Sequence, residues 1–295
     1  MDDRRPKSEA ADLEDFIAAL EAAGQVNEVA GLRSGFASLD AAINGLSRGF
    51  YLLVGPPAAG KTSLTKQICD QAVKLNPIVA LFFTCAEKKT DLTVRTLARL
   101  SGLETQEIRR GAGYLLHAYG VAKGNVTEDE MAPGWEKLKA VAVEAKKWLD
   151  RVYLIECDRH MTLADIERDI SAARETSNSQ GLLVTIDDAH RLGDAARPLD
   201  ERLPLVCEKL AGLALTCDIP LLATWPEPGA AAEAERWAER AVGADVVMVL
   251  RQEHPKADAV AHRVALHIVK NRGGEKTTID FDFTPGLAKF SQRAS

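Results

Sequence analysis

The residues most able to do chemistry are Gly55-Pro56-Pro57-Ala58-Ala59-Gly60-Lys61-Thr62, which fit the pattern G-x-x-x-x-G-K-[ST] at every fixed position. Glycines at those points let the backbone wrap closely, so that successive N–H groups face phosphate oxygens. A helix beginning at the loop, with Ser63 in its first turn, adds the partial positive charge of its N-terminus. Lys61 then reaches the β- and γ-phosphates and the Thr62 hydroxyl ligates Mg²⁺. The pattern means this only between a strand and a helix. Phe50–Val54 reads as that strand, and Ser63–Lys74 as that helix, with Leu64, Ile68 and Val73 on its apolar side.

A magnesium nucleotide needs a carboxylate at the end of a neighbouring strand. Gly181–Asp188 supplies an apolar run ending in two acids, and Asp187 takes the metal role. Asp188 is either an acid supporting that site from further out or a solvated turn residue. Hydrolysis also needs a group that orients or activates water. Glu87, just past the apolar run Ile78–Phe83, is the acid best placed for it. His190 follows Asp187 by three residues, where it could sense a γ-phosphate; an ordinary core or surface histidine is the competing reading. Lys270 and Arg272, two apart at a strand end, point to one side and suit a phosphate reached from an adjacent subunit.

The elements that must position these groups alternate. Apolar strand-length runs at 50–54, 78–83, 152–155, 181–186 and 220–224 are separated by helical stretches at 89–110 (with Leu92, Leu97 and Leu100 inward), 133–149, 162–173 (with Thr162 as a candidate cap) and 203–215. Two further strand-like segments, 246–250 and 264–269, close the series. This alternation predicts an α/β fold with a mainly parallel sheet and helices on both faces. Residues 1–9 read as a disordered tail. Leu13, Phe16, Ile17 and Leu20 recur at helical spacing within 10–23. Docking of that helix on its own domain or on a neighbouring subunit are both open.

The bulk composition sets limits. A chain of 295 residues with 46% hydrophobic content can bury a substantial core. The net charge of −6 gives no global basic character, so composition signals no nucleic-acid partner. Cys69, Cys85, Cys157, Cys207 and Cys217 are scattered without a C-x-x-C pair, and fit reduced thiols in a cytoplasmic protein, not a zinc site or disulfide framework. No run reaches the length of a membrane span.

The ordered set of motifs resembles the C-terminal ATPase domain of DnaB-type replicative helicases, which have a RecA-like P-loop NTPase core. Ser34-Gly35-Phe36-Ala37-Ser38-Leu39-Asp40 is similar to that family's T-G-F-x-x-L-D opening. Leu92-Thr93-Val94-Arg95 resembles its arginine-containing helix after the catalytic acid, and Leu163–Arg174 the segment before its second acidic strand. Val269-Lys270-Asn271-Arg272-Gly273-Gly274 resembles the K-x-R pair that reaches the neighbour's γ-phosphate. The resemblance implies a homo-hexameric ring, ATP and Mg²⁺ held between subunits, single-stranded DNA moved through the centre, and a separate primase or loader as partner. It divides the chain into a tail and linker-like helix (1–27) and an ATPase domain (28–295), without the family's collar domain.

The chain also departs from that pattern. The family's S-L-E-M would place its glutamate at Ala86, whereas the related RadA- and KaiC-like ATPases carry two adjacent glutamates, of which Glu87 matches the second. The family's glutamine in the acidic-strand motif falls near His190, and Thr224-Trp225 replaces an S-Q pair. Residues 226–245 set Arg236 and Arg240 against Glu227, Glu233, Glu235, Glu239 and Asp245, a poor lining for a phosphate backbone. Loop 191–204 mixes Arg191, Arg197 and Arg202 with acids. A RadA/KaiC-like ATPase without unwinding activity, or a nucleotide-binding ring subunit that has lost catalysis, is the alternative reading.

Overall fold

The computed structural model describes residues 29–111, 133–158, 161–176, 181–192, 197–227, 234–253 and 260–293, together with Leu13 and Ile17. The expected tail, and all of the expected helix 10–23 except those two residues, lie outside the described set. Leu13 and Ile17 are helical and 54% and 47% exposed.

After the short helix α1 (Ala37–Ile43) the chain enters β1 (Gly49–Gly55). There follow α2 (Lys61–Leu75), β2 (Ile78–Thr84), α3 (Lys89–Ser101), α4 (Thr105–Arg109), α5 (Pro133–Leu149) and β3 (Val152–Glu156). Next come α6 (Leu163–Thr176), β4 (Gly181–Asp187), a 3₁₀ turn at Ala189–Arg191, α7 (Leu199–Thr216), β5 (Pro220–Pro226) and α8 (Arg236–Arg240). β6 (Val246–Glu253), β7 (His262–Asn271), β8 (Thr277–Thr284) and β9 (Lys289–Gln292) complete one nine-stranded sheet of order β3-β2-β4-β5-β1-β6-β7-β8-β9. The strands from β3 to β6 pair in parallel, and β7 to β9 add antiparallel. The mainly parallel sheet predicted from the apolar runs is therefore present, with a meander at one edge.

Strand periodicity of two divides the core. Tyr51, Leu53, Ala80, Phe82, Leu183 and Met248 face α2, where Leu64, Ile68, Ala72 and Val73 are buried. Leu52, Val54, Leu81, Phe83, Val184 and Ala223 face Ile166 and Ile170 of α6 and Leu203, Val206 and Leu210 of α7. β1 lies between β5 and β6 with both faces covered, so the loop that leaves its carboxyl end is held by the most buried part of the sheet. Thr162 caps α6 as its sequence position suggests: its hydroxyl accepts the Asp165 N–H, and the Asp165 carboxylate accepts the Thr162 N–H.

Three expectations need correction. The helix read across 89–110 is two helices, because Gly102 adopts a left-handed conformation (φ 70°) that ends α3. Leu100, expected inward, is 39% exposed. Leu92 is buried as expected, and Thr96 and Ala98 share its face in place of Leu100, since Thr96 and Arg99 turn toward Asp70 of α2. The loop expected at 191–204 becomes helical from Leu199.

β8 and β9 lie beyond the sequence reading. Their signal is the alternation Ile279, Phe281, Phe283, all buried on one face.

Candidate nucleotide site

The site gathers at the carboxyl ends of β1, β2, β4 and β5, the position where open α/β sheets bind ligands. Two residues bend the loop after β1: Ala58 sits at φ 61° and Gly60 at φ 94°. Gly60 permits a close approach that no other residue could make. A Cβ there would meet Phe290 at 2.8 Å and Phe283 at 3.0 Å. Those rings stack at 4.4 Å, and Gln67 of α2 exchanges two hydrogen bonds with the Phe290 backbone. The β8–β9 hairpin thus props the loop from outside the parallel sheet.

Lys61 opens α2 almost fully buried, and its ammonium donates to the carbonyls of Gly55 (2.9 Å) and Pro56 (3.0 Å). Burial pulls its pKa down, and the nearby Asp188 and Asp187 carboxylates oppose that shift. The next residue, Thr62, donates its hydroxyl to Asp187 Oδ2 at 2.8 Å. Asp187 ends β4 with no exposed surface, and its Oδ1 accepts the Thr224 hydroxyl at 2.7 Å. Burial, and then the adjacent Asp188, raise the Asp187 pKa to about 6, while the two hydroxyl donors pull it back. Thr224 also accepts the Asp188 N–H at 2.7 Å, so one hydroxyl fixes both acids. Asp188 itself is held at φ 64° and borders the cleft.

Glu87 stands across this cleft. Thr84 Oγ1 accepts its N–H and donates to its carbonyl, and Arg95 of α3 grips its carboxylate with contacts of 2.6 and 2.8 Å. Arg95 also donates to Ser63 Oγ at 2.9 Å, tying Glu87 to the first turn of α2. His190 lies in the 3₁₀ turn with its ring edge-on to Trp225 at 6.1 Å. Its Nδ1 is 3.9 Å from Asp188 Oδ1 and buried without a hydrogen-bond partner, and burial lowers its pKa. The cleft so enclosed holds about 460 Å³, bordered by the loop, Glu87, Arg95, Asp188, His190 and Phe283.

Lys270 and Arg272 stand apart from it. The Lys270 ammonium reaches the Ala241 carbonyl at 3.3 Å, and Arg272 pairs with Asp245 at 2.8 Å. Asp245 binds the N–H of Phe50 at the start of β1. Arg272 is therefore level with Phe50, while the phosphate loop leaves β1 at Gly55. At ~3.3 Å per residue that separation is roughly 16 Å along the strand, with two strands to cross sideways as well.

Sequence reasoning placed Lys61, Thr62, Asp187, Glu87 and His190, and the structure brings these together. It missed the double role of Thr224 and the phenylalanine prop. The polar residue at a buried strand end and the 279–283 alternation were the available signals.

The residues fit a magnesium nucleotide. Thr62 and Asp187 offer hard oxygen ligands side by side, and a cation there would relieve the cost of the buried carboxylate. Among the described residues no three His, Cys, Asp or Glu side chains cluster as a self-sufficient metal site. That is compatible with magnesium, which takes phosphate oxygens and water for the rest of its shell.

Among the described residues no helix is long and apolar enough to cross a membrane. No curated protein matches the chain. The fold is that of a solved structure described as an ATPase domain, with a TM-score of 0.77 at 17% identity over 98% of this chain and all of that one. A DnaB-like replicative helicase, from a structure describing its interactions with primase, gives 0.72 at 16% identity, covering 95% of this chain and 69% of that one. The family model for the DnaB-like helicase C terminal domain matches residues 31–225, from the segment before α1 into β5, and takes in the phosphate loop, Glu87, Arg95, Asp188 and His190 but not the β8 side of the cleft. The chain belongs to the DnaB-like helicase C-terminal domain family.

Proposed function

We propose that this chain is a DnaB-like ATPase that binds and hydrolyses MgATP between the subunits of a ring and uses the turnover to move along single-stranded DNA. The carrying observation is the Lys61–Thr62–Asp187 arrangement, in which Lys61 and Thr62 border the cleft and the buried Asp187 carboxylate lies directly behind the Thr62 hydroxyl. In this reading Gly55 to Ser63 wrap the phosphates, Lys61 neutralises their charge, and Thr62 and Asp187 hold magnesium. Bound ATP supplies the phosphoryl group. Glu87 leaves Arg95 to orient the attacking water, and His190 senses the γ-phosphate. Lys270 and Arg272 serve the site of the next subunit, because their own loop is out of reach. Residues 28–295 form the ATPase domain, and the helix carrying the half-exposed Leu13 and Ile17 docks on a neighbour. In this reading the chain forms a hexamer in the cytoplasm and works with a separate primase or loader, which membership of the family supports.

A second reading has its own observation. Ala86 stands where the family's glutamate would be, and the Glu87 carboxylate is engaged by Arg95. Two arginines of the segments 191–204 and 226–245 are also engaged: Arg240 pairs with Asp200 and stacks on Trp237, and Arg202 bonds the His190 carbonyl. This favours an ATPase that does not unwind DNA, or one without turnover.

Steady-state ATP hydrolysis with and without single-stranded DNA, at low and moderate salt, separates the readings. Salt-sensitive stimulation by DNA is expected. Turnover indifferent to DNA would favour a RadA/KaiC-like ATPase, and nucleotide binding without turnover would mean that catalysis is lost.

A further inference from the structure

The five cysteines do not share one environment. Cys69, Cys207 and Cys217 are buried singly, whereas Cys85 and Cys157 are half-buried and adjacent. Strands β2 and β3 run parallel, with Ala80 opposite Val152 and Thr84 opposite Glu156. One step further along the same register sets Cys85 opposite Cys157. The β2–β3 pairing continues to that step, where the Cys157 N–H donates to the Thr84 carbonyl at 2.9 Å, while on its other side the Cys85 N–H donates to the Asp187 carbonyl of β4 at 3.1 Å. Neighbouring strands lie about 4.8 Å apart, inside the ~4.4–6.8 Å between Cα atoms that a disulfide spans. The two sulfurs are 2.8 Å apart, so bonding at about 2.05 Å requires less than about 1 Å of approach. Neither the phosphate loop nor the magnesium ligands use these side chains.

Cys85 also begins the segment Cys85-Ala86-Glu87-Lys88 between β2 and α3. Both ends of that segment are anchored on β2 and β3. Glu87 is bonded through its backbone to Thr84, and the Lys89 N–H is bonded to the Glu156 carboxylate. The orientation of Glu87 therefore depends on how freely these few residues move.

We propose that Cys85 and Cys157 form an oxidisable dithiol that a hydroperoxide converts to an intramolecular disulfide, restraining the strand end that leads to Glu87. One sulfur, as thiolate, attacks hydrogen peroxide and becomes a sulfenic acid, and the displaced hydroxide takes up the proton that the thiol lost and leaves as water. The second sulfur attacks the sulfenic sulfur, expels a second water and closes the S–S bond. Two thiols lose two electrons in total, and hydrogen peroxide gains them. A dithiol reductant reverses the step by thiol–disulfide exchange.

The effect on turnover rests on the proposed ATPase reading, whereas formation of the bond does not. The full chain is treated with graded hydrogen peroxide, and thiols are titrated. Its peptides are mapped under non-reducing conditions, alongside Cys157→Ser and Cys85→Ser variants. The expected result is a Cys85–Cys157 linked peptide and loss of two thiols within a single chain, reversed by dithiothreitol and absent from both variants. Sulfinic acid at either position, a link between chains, or unchanged thiols would overturn the dithiol.

In parallel, ATP turnover is expected to fall on the order of tenfold or more on oxidation, as misplacing a catalytic group does, and to recover on reduction. Both serine variants should resist the loss. A disulfide that forms without changing turnover would overturn the link to Glu87 and leave the ATPase reading intact. Absence of turnover in the reduced chain would defeat the ATPase reading, while the peptide map still decides the dithiol.

Discussion

The two ends of the parallel sheet differ in how completely their charged groups are satisfied. At the carboxyl end, Lys61, Thr62, Asp187, Thr224, Glu87 and Arg95 all find partners within the chain, mostly out of water. At the amino end, Arg272 is 73% exposed, paired with a single carboxylate, and Lys270 holds one long contact to a carbonyl. An exposed ion pair of that kind is worth about 0–1 kcal/mol and is readily exchanged for a phosphate. The contrast teaches that a chain can satisfy the charges at its loop end within itself and leave a second pair of cations far from that loop, which the proposed reading assigns to another copy.

Substitutions at the two ends should therefore fail in different ways. The largest effect belongs to the amino end. Arg272→Ala should lower ATP turnover by about 10³-fold or more, the scale of a lost arginine finger, with nucleotide affinity and folding unchanged. Lys61→Ala acts on binding itself and should weaken ATP affinity on the order of a hundredfold in equilibrium titrations. Micromolar affinity retained in that variant would remove the phosphate-loop assignment.

Asp187 sharpens the comparison through pH. Burial raises its pKa to about 6 from 3.8. Between those values the folded chain keeps a proton that the unfolded chain has lost, so this group's contribution to stability falls as pH rises through that window. At neutral pH Asp187→Asn should stabilise the ligand-free chain by about 1–2 kcal/mol in denaturant melts, yet abolish the Mg²⁺ dependence of ATP binding. In the wild type that Mg²⁺ dependence should fade below about pH 6 as the carboxylate protonates. A destabilised Asn variant would mean that the carboxylate supports the fold and does not wait for a cation. The smallest effect is expected at Ala58, whose left-handed backbone costs about 1 kcal/mol. Ala58→Gly should raise stability by less than that amount, because glycine adds freedom to the unfolded chain.

Much of the carboxyl end was legible because its signals are local. The eight loop residues stand in an unbroken run, and the apolar strand before Asp187 announces a buried end. The fold followed from apolar runs of strand length, since strands covered on both faces leave no polar alternation. What was not legible depends on contacts distant in sequence. Thr224 gains its role only because β5 lies beside β4, and Phe290 supports Gly60 only after β9 folds back on α2. Leu100 was misplaced because apolar spacing alone does not reveal that Asp70 of α2 draws Arg99 and Thr96 inward. Cys85 and Cys157, 72 positions apart, meet only through strand register.

The central claim, that each site is completed by a neighbouring copy, is tested most directly by mixing inactive chains. Lys61→Ala and Arg272→Ala proteins are each assayed for ATP turnover alone and then combined at varied ratios. The account predicts little activity from either alone and recovery in the mixture, where an intact phosphate loop meets an intact Arg272 from the next subunit. Absence of recovery at every ratio, or full activity of Arg272→Ala by itself, would contradict it.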